Sequence, residues 1–204
     1  MAPSMAENLD PHLVRSYYKR LGPVRTVLDL GCGKGDLGRL KPDPAIEIYG
    51  VDSDPGIVSS ASRFERVQTL DLERENLPFE DNFFDAVFAK DILEHLPKPW
   101  LLLREVRRVL KPGGRLLVSV PMAKPRVVWG DYTHIRGYTE TAVRRLLEDA
   151  GFQILSVRKM GGIPLAGRLG LAACIPFLMN FPPVDWLWGA SYELLSVKAS
   201  PGVK

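Results

Sequence analysis

Two rhythms of apolar and polar residues alternate along the chain. Short apolar runs at 26–30, 47–51, 64–70, 84–89, 115–120, 152–157 and 191–197 predict seven strands. The first runs into a glycine loop, the second and third run into Asp52 and Asp71, and the fifth stops at Pro121. Apolar runs of this length closed by turn-forming residues mark strands buried on both faces. A helical rhythm fills the gaps. Residues 10–21 predict a helix that Asp10 caps, Pro11 opens and Gly22 with Pro23 ends. In 100–110, Leu102, Leu103, Val106, Val109 and Leu110 recur at three- and four-residue spacing and form an inner face. Arg104, Arg107 and Arg108 fall mostly on the outer side. Lys111, Pro112, Gly113 and Gly114 then end this helix and turn the chain. Thr139 caps a further helix whose inner face is Val143, Leu146, Leu147 and Ala150, with Gly151 at its end.

Strand and helix alternate through most of the chain, which predicts an α/β fold with a doubly wound, mostly parallel sheet and helices on both faces. Ligands of such sheets bind beyond the carboxyl ends of the strands. The chain shows neither an internal repeat nor a low-complexity segment, and its 204 residues read as a single domain, 1–204. Hydrophobic content of 46% and charged content of 25% are ordinary for a globular protein. The net charge of +3 comes from scattered basic residues and not from a block, so no nucleic-acid partner is expected. Cys32 and Cys174 make neither a disulfide framework nor a zinc pattern, and His12, His95 and His134 are dispersed, so no metal site is expected. Glu7 and Asp10 near the start leave no apolar signal peptide, which by default predicts a cytoplasmic location. Residues 169–184 carry no charge, yet fall short of the ~20 residues of a membrane span, and Pro176, Pro182 and Pro183 interrupt them. They read as a buried or surface-lying segment.

The chemistry concentrates at the predicted strand ends. Gly31, Gly33 and Gly35 let the backbone turn sharply and approach a ligand with no Cβ in the way, and the helix that follows offers free N–H groups. Such a loop is equally the mark of a tight turn holding nothing. Asp52 lies about 20 residues further on, directly after an apolar strand, where a carboxylate accepts both hydrogens of a ribose diol. The other use of a carboxylate there is a helix cap, which Ser53 or Asp54 can also supply ahead of Pro55. A dinucleotide fingerprint needs glycine at position 36. Asp36 stands there, and its charge would repel a pyrophosphate. The site suits a phosphate-free nucleoside better than a nicotinamide dinucleotide.

Five blocks in order carry a family resemblance across about residues 24–157: 27–35, 49–55, 71–72 with 77–85, 89–96 and 110–116. The first block, Val27, Leu28, Asp29, Leu30, Gly31, Cys32, Gly33, Lys34 and Gly35, resembles the first motif of the class I S-adenosylmethionine-dependent methyltransferases, in particular the small-molecule, type 11-like members. The resemblance implies a Rossmann-like seven-stranded sheet whose last strand is antiparallel, and S-adenosylmethionine as cofactor. Gly31, Cys32, Gly33 and Gly35 would cradle its methionine part, with Asp29 near the amino group. Asp52 and Ser53 would sit at the ribose, Asp71 and Leu72 at the adenine, and Lys90, Asp91 and Ile92 along the wall near the sulfonium.

The acceptor side is read from two regions. His95 follows the fourth strand on the ligand side, as a candidate base or a cap of its own loop. His134 lies in the aromatic and polar loop 129–138, which either lines an acceptor pocket or is a solvated connection with His134 bonded to a backbone carbonyl. The long apolar insert 161–189, with Trp186 and Trp188, is a candidate lid, dimer surface or membrane-surface contact. Together they predict methyl transfer to a small-molecule, apolar or lipid-like acceptor. The alternatives are a cofactor-binding partner protein without catalysis and, less favoured because of Asp36, a nicotinamide oxidoreductase.

Overall fold

The computed structural model describes residues 10–60, 64–161 and 189–199. The interior of the 161–189 insert, with Cys174, Trp186 and Trp188, lies outside the described residues.

Seven strands form one sheet: β1 (Thr26–Leu30), β2 (Glu47–Asp52), β3 (Arg66–Thr69), β4 (Phe84–Lys90), β5 (Leu110–Pro121), β6 (Phe152–Gly161) and β7 (Gly189–Lys198). The order across the sheet is β3-β2-β1-β4-β5-β7-β6. The first five run parallel, and β7 inserts antiparallel between β5 and β6. The doubly wound sheet and the antiparallel last strand are therefore as expected. Six helices accompany it among the described residues: α1 (Pro11–Leu21), α2 (Asp36–Arg39), α3 (Pro55–Ser60), α4 (Pro99–Val109), α5 (Pro125–Val128) and α6 (Glu140–Asp149). No helix among them is long and apolar enough to cross a membrane.

The alternation of side chains along the central strands explains the layering. Leu28 and Leu30 of β1 face one core with Val106, Val109, Val143 and Leu147, while Val27 faces a second core with Val14, Tyr17, Leu21 and Leu37. Both faces of the sheet are thus covered, and β1 is buried along nearly its whole length. The caps are those the sequence predicts. Asp10 accepts from His12 N–H at 2.7 Å, Thr139 accepts from Ala142 N–H at 3.2 Å, and Gly22 and Gly151 take positive φ at the helix ends.

Three details differ from the sequence reading. Residues 111–114 are not a turn between helix and strand but a bulge within the fifth strand. Phe84 pairs with Leu110 and Ala86 with Arg115, so β5 begins at Leu110 and loops those four residues outward. Lys111 Nζ closes the bulge on Asp85 Oδ1 at 2.6 Å. Arg108, placed on an outer face, instead donates to the carbonyls of Leu77 and Phe79, both at 2.8 Å, and pins that loop. β3 is Arg66–Thr69, shorter than the expected 64–70; the Phe64 ring packs beside Gly50, and Glu65 N–H bonds Ile48 O.

The inserted strand is anchored by a buried ion pair. Arg20 of α1 donates to Glu193 Oε2 of β7 at 2.9 Å, and Tyr17 OH donates to Glu193 Oε1 at 2.9 Å. Both charged side chains are nearly inaccessible. Glu193→Ala strands the Arg20 charge, so stability should fall by ~3–5 kcal/mol, with Arg20→Met added in the same chain recovering much of it. Urea denaturation of the two variants measures this; a loss under ~1 kcal/mol for Glu193→Ala would show that the pair anchors nothing.

Candidate functional site

The direction of the strand order reverses between β1 and β4, so the loops leaving their carboxyl ends diverge and open a crevice. A cavity of about 1190 Å³ lies there, and the chain reaches it from the ends of β1, β2, β4 and β5 and from the loop before α6.

The glycine loop forms its first wall. Gly31, Gly33 and Gly35 all adopt positive φ, at 67°, 50° and 82°. That backbone is closed to most side chains and open to glycine. Two N–H groups, those of Gly31 and Cys32, converge on Val51 O at 2.8 and 3.0 Å, and Gly33 N–H donates to Asp52 Oδ2 at 3.0 Å. A Cβ on Gly31 would stand 2.3 Å from Ile92 Cδ1, so the loop and the wall after β4 touch where only glycine fits. Cys32 points inward and is buried; its thiol is pushed up by burial and by the nearby Asp29 and Asp52 carboxylates.

Carboxylates dominate the lining. Ten acidic residues and two lysines, Lys34 and Lys90, border the cavity. Asp29 is buried, and burial, with Asp52 and Asp36 adding repulsion, holds its carboxyl well above the usual range. Asp52 ends β2, and its second oxygen accepts from Asp54 N–H at 3.0 Å. It is therefore not the cap of α3; Asp54 does that work, accepting from Gly56 N–H at 2.8 Å. Each Asp52 oxygen keeps lone-pair capacity for a further donor. Asp36 is buried at the start of α2 and is ion-paired with Arg39. Ser53, Asp71 and Leu72 line the same cavity. Asp71 also holds its own turn, accepting from Glu73 N–H at 3.0 Å.

After β4 the backbone is forced again. Asp91 has φ 54°, in the left-handed region that aspartate enters more readily than most side chains. Ser119 Oγ donates to its Oδ1 at 3.2 Å, and Lys90 forms an ion pair with its other oxygen. Lys90, Asp91 and Ile92 all line the cavity.

On the acceptor side the structure corrects the view of dispersed histidines. His95 and His134 stack edge to face with centroids 4.8 Å apart. His134 does bond a backbone carbonyl, Val128 O at 3.0 Å from Nδ1, and also lines the cavity. His95 Nδ1 lies 3.1 Å from Thr133 Oγ1 and 3.3 Å from Thr133 O. Burial, reinforced by His134, pushes the His95 imidazole down, toward its neutral form. Glu94 was not singled out in the sequence, although an acid between the apolar Leu93 and Leu96 is a signal. It is fully buried, and burial together with Asp91 raises its carboxyl to about 8. Its Oε1 lies 3.8 Å from His134 Nε2.

These motifs have known counterparts. The family described as "Methyltransferase domain" matches residues 28–118. A Mycobacterium tuberculosis protein named a probable S-adenosylmethionine-dependent methyltransferase is 34% identical over 143 residues, covering 66% of this chain and 52% of that protein. A solved S-adenosylmethionine-dependent methyltransferase from Archaeoglobus fulgidus superposes with a TM-score of 0.74 at 20% identity, covering 92% of each chain. A [4+2]-cyclase, SpnF, superposes with a TM-score of 0.68 at 26% identity, covering 92% of this chain and 81% of that one. Fold, ordered motifs and these likenesses support a class I S-adenosylmethionine-dependent methyltransferase. S-adenosylmethionine is the cofactor of that family, and a glycine cradle without room for a Cβ in an acid-lined cavity fits a ligand that carries a sulfonium and an ammonium. The chain spans about half the length of the curated relatives it matches, as with 45% of a Streptomyces fradiae protein.

Gly31→Ala tests the cradle. It should destabilise the fold by about 1–3 kcal/mol through the left-handed backbone and the Ile92 clash, and Ile92→Ala should restore only the part due to the clash. Urea unfolding of the single and double variants reads both terms; full restoration by Ile92→Ala would mean the backbone carries no strain.

Proposed function

We propose that this chain transfers a methyl group from S-adenosylmethionine to a small, apolar acceptor. The observation that carries the reading is that the glycine cradle and the His95–His134 wall border one cavity, so donor and acceptor would share one space. When bound, S-adenosylmethionine supplies an electrophilic methyl carbon on a positively charged sulfur. The chain's own part is alignment, the main lever in a displacement between two bound partners. Gly31, Cys32, Gly33 and Gly35 would hold the methionine part and Asp29 the ammonium. Asp52 and Ser53 would bind the ribose, and Asp71 and Leu72 the adenine. Lys90, Asp91 and Ile92 fix the wall between donor and acceptor. His95 and His134 present ring nitrogens to the acceptor half.

Two features favour an apolar acceptor. Trp129, Tyr132 and Ile135 are exposed in the loop before α6, and Tyr132 borders the cavity. The ends of the apolar insert also lie at this edge, since Gly161 pairs with Gly189, and Ala190 and Ser191 line the cavity. A membrane-surface or dimer contact through the insert is the same proposal seen from outside: it would bring a lipid-like acceptor to this edge.

A second reading has its own support. The cyclase SpnF shares the fold, so the fold also serves a protein whose name describes no methyl transfer. In that reading the chain binds the cofactor and leaves it intact. Incubation with methyl-labelled S-adenosylmethionine and a panel of lipid, quinone and sugar acceptors separates the two. Label should appear in an organic-extractable product; label confined to the donor across the whole panel, with the cofactor bound, favours the second reading.

A further inference from the structure

The acceptor wall contains an arrangement that methyl transfer by itself does not require. Glu94, His95 and His134 bring one potential ligand atom each to within 4.8 Å of one another. Glu94 comes from the turn after β4, and His134 from the loop before α6. The two are held in place independently of any ligand, because Ile135 N–H bonds Glu94 O at 3.1 Å and Tyr138 OH bonds Leu93 O at 3.0 Å.

Three observations distinguish this group from a chance cluster. Glu94 is 0% exposed, yet neither of its carboxylate oxygens has a hydrogen-bond partner. A buried carboxylate left this way is costly, and a bound ion is one of the few things that explains such a group in a native structure. Next, each imidazole is already oriented from behind. A carbonyl only accepts, so His134 Nδ1 facing Val128 O carries the proton, and His95 Nδ1 facing Thr133 O does likewise. That leaves the Nε2 lone pair of each ring available, and His134 Nε2 is the nitrogen nearest Glu94. A histidine whose rear nitrogen donates to a carbonyl is the usual arrangement of a metal ligand. Thr133 extends this support, since its hydroxyl donates to Asp131 Oδ1 at 2.6 Å while facing His95 Nδ1. Finally, Asp91 and Asp131 border the same cavity and repel the Glu94 carboxylate, and Lys90 partly offsets them.

We propose that Glu94, His95 and His134 form a binding site for a divalent transition-metal cation of the zinc class. Two imidazoles with one carboxylate suit zinc, cobalt or nickel, whereas magnesium and calcium favour all-oxygen shells. Three protein ligands leave a coordination position open, as in metal sites that bind substrate. The open position faces the cavity, so the occupant it selects is an acceptor oxygen, a hydroxyl that the cation holds as its anion once the proton has passed to water. This use rests on the methyl-transfer reading; the cation site itself does not.

The test uses the full chain stripped of metal by a chelator and titrated with Co²⁺, followed by visible absorption, and with Zn²⁺, followed by calorimetry. S-adenosylmethionine is titrated separately into the same samples. The wild type should bind one equivalent of either ion and develop the visible bands of a cobalt centre with nitrogen and oxygen ligands. Glu94→Gln and His134→Ala should each weaken binding at least ~10-fold, while affinity for S-adenosylmethionine stays within about twofold, which reports an intact fold. A wild type that takes up no stoichiometric cobalt or zinc, or variants that bind as the wild type does, overturns the proposal. Loss of S-adenosylmethionine binding with metal binding retained would instead sink the cofactor reading and leave the cation site standing.

Discussion

The carbonyl of Val51 and the carboxylate of Asp52 hold the site together. Two successive N–H groups of the first loop converge on the one, and Gly33 N–H reaches the other. These bonds lock the end of β1 to the end of β2 across a left-handed path that glycine alone follows freely. Everything else in the crevice depends on that lock. It sets Gly31 against Ile92, fixes Asp29 beneath the loop, and leaves the centre of the crevice open.

The lock also concentrates negative charge. A crevice bordered by ten acidic residues against two lysines repels itself, and burial deepens the effect by removing the water that would screen it. The consequence is visible in Asp29 and Glu94, both held toward their protonated forms chiefly by burial. A cationic ligand relieves this cost, and an anionic one adds to it. The same physics therefore disfavours a dinucleotide and favours a sulfonium-bearing cofactor, and it disposes the acceptor wall toward a cation.

Much of this was legible in the sequence because it depends on local pattern. The strand ends, the caps at Asp10 and Thr139, and the glycines at 31, 33 and 35 are set by neighbours a few positions away. The parallel order follows from connection rules that act on whole elements, and the antiparallel last strand is what the family resemblance implies. What pattern does not carry is the meeting of distant residues. Nothing near His95 announces that His134 will stack on it, and the inward orientation of Glu94 depends on the packing of Leu93 and Leu96. Arg108 escaped for a similar reason: helical spacing places it outward, and only the path of the 77–81 loop brings carbonyls to it. At 111–114, Pro112 and two glycines specify a departure from regular pairing without saying whether the strand has already begun.

The central claim is that this crevice holds S-adenosylmethionine through Asp52. Calorimetric titration of the cofactor into the full chain and into Asp52→Ala addresses it directly. The account predicts saturable binding of one equivalent to the wild type and a loss of at least ~10-fold in affinity for the variant, the scale of a lost hydrogen bond to a charged group. Equal affinity in the two proteins, or a wild type that binds a nicotinamide dinucleotide and not S-adenosylmethionine, would contradict it.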